Sequence, residues 1–190
     1  PENKGFETRS ATNVLTAAGG TERITCAAST STGEITGAKT VGKVLVVFTG
    51  CTSAGLGGEG CTVQSSGATK AGEIRTAVLK GELGTVAAAE APSERVLVIR
   101  PETGKRFALI EENACTEEAA VTGSIAGEIE RIGIRSVKNG LLFRVVNGKQ
   151  AIKRVKTAAG ELKPELSAFG TVVTESSSQE WEFREAIEIT

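Results

Sequence analysis

The run at residues 44–48, VLVVF, constrains this chain most, because it is apolar on both parities. A strand with one buried face alternates apolar and polar residues, whereas a strand covered on both faces reads as a continuous apolar run. Residues 33–51, GEITGAKTVGKVLVVFTGC, are therefore expected to form a central strand, with Val44, Val46 and Phe48 facing one layer and Leu45 and Val47 another. The C-terminal stretch QEWEFREAIEIT shows the complementary pattern. Trp181, Phe183, Ile187 and Ile189 share one parity, and Glu182, Arg184 and Glu188 the other, as in a strand with one wet face. No helix-length apolar periodicity of comparable quality occurs. The expected fold class is all-β, an antiparallel β-sandwich or partly open barrel with little helix, in a single domain over residues 1–190.

Turn chemistry divides the rest. Gly19-Gly20, able to supply positive φ angles, separates expected strands at 6–17 and 22–28. Pro101 and Gly104 in PETGK predict a hairpin between 95–100 and 107–111. Asn139-Gly140 and Asn147-Gly148 each predict a tight turn in a meander. Ile125 and Ile129 are odd while Ile132 and Ile134 are even, which predicts a bulge or break near Glu130 or Arg131. Pro164 marks AAGELKPELSAFG as irregular, and 111–120 is the best candidate for a helical turn or two.

The chain has 22 basic and 23 acidic residues and a net charge of −1, so no field steers it to nucleic acid. No apolar run reaches the roughly 18 residues that span a bilayer. His, Met and Tyr are absent, and every acid is Glu. Without His the chain lacks the side chain most used for acid–base work near neutral pH and the commonest metal ligand. Without Asp it lacks the core of oxygen-ligand calcium loops. Ser or Cys nucleophiles have no His to activate them, and no SxxK occurs. No cofactor site is expected. GLGGEG at 55–60 fits the G-x-G-x-x-G pattern but lacks the following helix that a dinucleotide site needs.

Cys26, Cys51, Cys61 and Cys115 form an even set with no CxxC pair, which favours disulfides and an extracellular or cell-surface location. The polar N-terminus without Met reads as processed. Of the three connectivities, the preferred one joins Cys51 to Cys61 across a short glycine-rich loop and Cys26 to Cys115.

A tetrad recurs as TGEI, AGEI, KGEL, AGEI and AGEL, placing Glu34, Glu73, Glu82, Glu128 and Glu161 after a glycine. Convergence of several of these would supply either a carboxylate pair for glycoside hydrolysis or a cation site. The favoured reading is that each Gly permits a close backbone approach, with Glu solvated and the aliphatic residue buried.

The segments GEITGAKTVGKVLVVFTGC and CTVQSSGATKAGEIRTAVLKGELG resemble motifs of a family of uncharacterised exported proteins of actinobacteria, over roughly the first half of the chain. In that family each segment also carries a Cys. The resemblance implies an exported, disulfide-bonded protein and no particular chemistry.

These readings converge on a non-enzymatic secreted structural protein, a filament or surface-layer subunit assembled with copies of itself by β-strand addition. The exchanged segments would be 1–16 or 180–190, and the assembly residues Phe6, Val14, Val44, Val46, Phe48, Trp181 and Phe183. The alternative is a monomeric secreted barrel or sandwich that binds an apolar ligand or partner protein.

Overall fold

The computed structural model describes residues 5–20, 22–54, 61–87, 94–111 and 118–190, and all the regular structure among them is β-strand. No helix among them is long and apolar enough to cross a membrane.

The strands come largely as collinear pairs. β1 (Gly5–Ser10) and β2 (Asn13–Ala17) are broken at residues 11–12, β3 (Arg23–Cys26) and β4 (Ala28–Gly37) at Ala27, and β5 (Thr40–Thr49) and β6 (Thr52–Ala54) at Gly50 and Cys51. The short β7 (Cys61–Thr62) and β8 (Ile74–Arg75) precede β9 (Leu79–Val86). β10 (Arg95–Pro101) and β11 (Arg106–Ile110) run antiparallel to β12 (Ala119–Gly123) and β13 (Ile125–Ile129). After β14 (Ser136–Phe143) come the hairpins β15 (Val145–Val146) with β16 (Lys149–Gln150) and β17 (Val155–Thr157) with β18 (Gly160–Leu162). The chain closes with β19 (Leu166–Ala168) and the 17-residue β20 (Thr171–Ile187).

These breaks separate two tiers of one barrel. In the first tier β1, β4, β5, β9, β10, β13, β14 and β20 pair in that order, and β20 returns to β1, so eight antiparallel strands close on themselves. In the second, β7, β6, β3, β2, β20, β19, β12 and β11 follow one another. A bridge from Ser65 to Ile110 joins the two ends of that tier. β20 serves both: residues 171–176 pair with β19 and β2, and residues 177–187 with β14 and β1. At roughly 3.3 Å per residue, this strand is about 55 Å long and forms the spine of the barrel.

The interior is filled by alternate residues from each strand, among them Phe6, Val44, Leu97, Leu141, Phe143 and Phe183. Closure leaves the first tier no free edge for another chain to extend. A satellite core lies elsewhere: Val96, Val98 and Ala126 are covered by Ile152 and Val155. The strand buried on both faces is therefore β10, where residues 96–99 are all buried, and not the expected 44–48 run. In β5, Val44 and Val46 are buried while Leu45 and Val47 stay half-buried, because no second layer covers that outer face so fully.

Gly19 and Gly20 adopt φ of 93° and 75° at the β2–β3 turn, and Asn147 and Gly148, at 51° and 70°, turn β15 into β16, as expected. Strand β13 ends at Ile129, where the parity switch placed a break. Three expectations fail. Residues 102–105 carry β10 into β11 in the other tier instead of reversing the chain, since β10 pairs with β9 and β13 whereas β11 pairs with β12. Asn139-Gly140 lies inside β14, because the Asn139 amide bonds both the N–H and the C=O of Arg131 and so bridges the irregular chain after β13. The AAGELKPELSAFG segment is ordered into β17, β18 and β19, with Pro164 between the last two. Ala119 and Ala120 open β12, while the rest of the expected helical turn, at 112–117, lies outside the described residues, as does the 55–60 loop.

Candidate functional site

The barrel interior is not completely filled. An inner cavity of about 110 Å³ lies among Ile24, Val46, Phe48, Leu79, Ile99 and Phe143. A second, of about 300 Å³, sits beside the β4–β5 turn and the C-terminal residues 187–190, bounded by Ile35, Leu83, Ile129 and Ile189. Val41, Leu97 and Trp181 line both, so the two cavities adjoin across these side chains. Trp181 stacks on Phe6, with ring centroids 4.6 Å apart and planes 13° from parallel, and tilts against Phe183 at 5.6 Å.

Polar groups enter this apolar space on adjacent strands. Thr8 and Ser31 share a hydrogen bond of 2.7 Å between β1 and β4. The Ser10 hydroxyl donates to Asn13 Oδ1 at 2.8 Å, and Ser29 Oγ lies 3.2 Å from Ser10 Oγ and 3.3 Å from the same Oδ1. These groups satisfy one another, as buried polar groups generally must. On β20 the buried parity runs back from Phe183 and Trp181 through Gln179 to Ser177, and the half-buried Glu175 follows it and lines the inner cavity.

Glu175 is the ionisable side chain of the inner cavity, and its Oε2 is buried without a hydrogen-bond partner. Burial pushes its carboxyl up to about 8 from 4.5, and the nearby Ser177 hydroxyl opposes the shift without reaching normal hydrogen-bond geometry. Its backbone is fixed. β19 pairs with β20 only as far as Val173 and β14 only from Ser177, and the Gln150 amide fills the gap. Gln150 Nε2 donates to the Glu175 carbonyl and Oε1 accepts from the Glu175 N–H, each at 3.1 Å.

The seven residues nominated for assembly all face this interior. Phe6, Val44, Val46, Trp181 and Phe183 are buried, and Val14 and Phe48 line the inner cavity. Sequence reading followed the alternation of β20 only from Trp181 onward; extending it six residues back would have placed Glu175 inside.

The tetrad carboxylates are dispersed among separate cations. Glu34 pairs with Lys43, Glu73 with Arg75, Glu82 with Arg100, Glu128 with Arg144 and Glu161 with Arg154. The Arg75 guanidinium and the Thr69 N–H hold Glu73 below the usual carboxylate range. The glycines are the packing element. A Cβ at Gly33, Gly81 or Gly127 would collide with Phe6, with Val41 and Leu97, or with Leu141 and Phe143, while Gly72 and Gly160 need positive φ.

The disulfide pairing differs from the expected one. Cys26 is bonded to Cys51, their Cα atoms 3.9 Å apart. They lie opposite one another where the β3–β4 and β5–β6 runs both break, between the pairs Thr25–Thr52 and Ala28–Thr49. Strand register, and not loop length, selects the partner. Cys61 is also disulfide-bonded, and Cys115 lies outside the described residues.

Comparison with family models, curated proteins and solved structures finds no match to this chain.

Proposed function

We propose that this chain is a secreted binding protein that holds an apolar ligand inside its barrel. The observation that carries this reading is the pair of adjoining cavities, lined largely by apolar side chains of one chain and sharing Trp181 in their walls. Small-ligand sites are concave, largely apolar and fixed by a few placed polar groups, and the mouths of β-barrels are a recurring location. The Cys26–Cys51 bond is compatible with an oxidising compartment, and the sequence resemblance to exported proteins supports the same location.

Self-assembly by strand addition would use the same apolar residues and is the rival reading. Ligand binding uses them in place, turned into the barrel of their own chain, whereas strand addition would first require β1, or the 180–187 end of β20, to leave two neighbouring strands.

Trp181, the sole tryptophan, is a built-in reporter. Titration with diphenylhexatriene, a neutral elongated fluorophore, is expected to give saturable one-to-one energy transfer from Trp181. Sedimentation should show monomers throughout. Absence of saturable transfer, with polymers at high concentration, would overturn ligand binding in favour of assembly.

A further inference from the structure

Most polar groups of the barrel wall are matched to one another, but buried atoms on the inner face of β20 are left without a partner at Glu175 Oε2, Ser177 Oγ and Trp181 Nε1. Thr8 pairs with Ser31, and Ser10, Ser29 and Asn13 form a closed set, but Glu175 Oε2 is buried in the inner cavity with nothing to meet it. No ion pair among the described residues includes it, and none of the other residues lining that cavity is ionisable. Protonation removes the cost of a buried charge at Glu175 but leaves Oε2 unpaired, and a group that enters the cavity can meet it.

The chemistry of that group follows from what a carboxyl does that its neighbours cannot. A neutral hydroxyl or carbonyl head would be served as well by an amide or a hydroxyl, and the inner face of β20 already offers Gln179 and the unpartnered Ser177 hydroxyl. An acidic head could meet Glu175 only with one proton shared between them, because two ionised carboxylates would repel in a medium that screens poorly. A cation gains from the carboxylate what neither alternative can supply, a charge-assisted hydrogen bond in an apolar surround. We propose that the ligand is an elongated amphiphile with a terminal amine, whose ammonium meets Glu175 while its apolar body runs past Gln179 and Trp181 towards the second cavity. This rests on the reading that the barrel holds an apolar ligand, and it names the head group that reading leaves open.

Dimensions agree with a slender body. Six residues of β20 separate Glu175 from Trp181, roughly 20 Å at about 3.3 Å per residue. The inner cavity, at about 110 Å³, is somewhat smaller than the ~150 Å³ engineered cavity that admits benzene, so an unbranched chain suits it. The Gln150 clamp holds the Glu175 backbone on both its N–H and its C=O, so the carboxyl is presented from a fixed point.

The test compares dodecylamine, dodecanol and dodecanoate below their micellar concentrations. Each is titrated into the wild-type protein and Glu175→Gln, with Trp181 emission and displacement of diphenylhexatriene as readouts. Wild type is expected to bind the amine at least about tenfold more tightly than the alcohol, a difference of ~1.4 kcal/mol. Glu175→Gln should abolish that preference while leaving dodecanol affinity nearly unchanged, which also reports that the variant barrel is intact. An amine no tighter than the alcohol on wild type, an equal loss of both in the variant, or tightest binding of dodecanoate would overturn the amine assignment. The wild-type comparison stands whether or not the variant folds. If diphenylhexatriene and all three amphiphiles fail to bind wild type, the ligand-binding reading itself falls; if diphenylhexatriene and dodecanol bind without amine preference, only this assignment does.

Discussion

Phe6 lies directly opposite Gly33 on the neighbouring strand, and its ring fills the space that a side chain at Gly33 would occupy. An aromatic over a cross-strand glycine offsets the poor strand propensity of the glycine and lets a large ring enter a narrow barrel. Gly33→Ala should therefore destabilise by overpacking, by about 1–3 kcal/mol, although the backbone at Gly33 is open to alanine. Adding Phe6→Leu should return part of the loss, since the two sites share one space. Urea unfolding of the two single variants and the double variant measures this coupling. Additive losses would show that the ring is not what excludes the methyl group.

Glu175 predicts how stability depends on pH. Its carboxyl, pushed to about 8 by burial, keeps its proton in the native barrel across a range where the unfolded chain, ordinary near 4.5, has lost it. The native state thus binds the extra proton, and stability falls as pH rises from about 5 towards 8, by up to ~1.4 kcal/mol per unit, then levels off. The absence of His leaves no imidazole titrating in the same window. Glu175→Gln should flatten the profile and be the more stable protein at pH 8. Urea midpoints at four pH values from 5 to 8 are enough, and a flat wild-type profile would contradict a protonated Glu175.

The strand character of this chain was legible because alternation is written into single segments. Trp181 and Phe183 declare the inner face of β20, and Gly33, Gly81 and Gly127 announce close approaches between strands. What was not legible depends on which strands become neighbours. Asn139-Gly140 has turn chemistry, yet the Asn139 amide is engaged by Arg131 in the irregular chain after β13 and the segment stays extended. Cys26 and Cys51 are far apart in sequence and meet only through the register of two broken strand pairs. Glu175 was hidden differently. A carboxylate at an inward position contradicts the local preference for solvent, and places where local rules fail are where binding sites are found.

The Cys26–Cys51 bond closes a separation of 25 residues, for which the chain-entropy treatment gives about 3.5 kcal/mol of stabilisation. Replacing both residues with Ala should cost on that order, measured by urea unfolding against the wild-type protein. The pairing itself is checked without mutation. Cleavage after Glu22, Glu34, Glu59 and Glu73 places Cys26, Cys51 and Cys61 on three separate peptides. Mass spectrometry without reductant should find residues 23–34 linked to residues 35–59. A link from 35–59 to 60–73 would instead restore the pairing expected from loop length.

Thr8 and Ser31 offer a direct test of how the barrel wall treats polarity. Both hydroxyls are buried, and they bond to each other at 2.7 Å between β1 and β4. Thr8→Val keeps the shape but strands the Ser31 hydroxyl, and Ser31→Ala strands that of Thr8. Each single change should cost about 1–3 kcal/mol, because a buried group left without its partner bears its full desolvation penalty. The double variant removes both polar groups together and should be more stable than the sum of the single losses predicts, approaching wild type. Unfolding of the four proteins gives the coupling energy. Strict additivity would mean that water reaches this layer and solvates the orphaned hydroxyl, and the wall at Thr8 would then be wet.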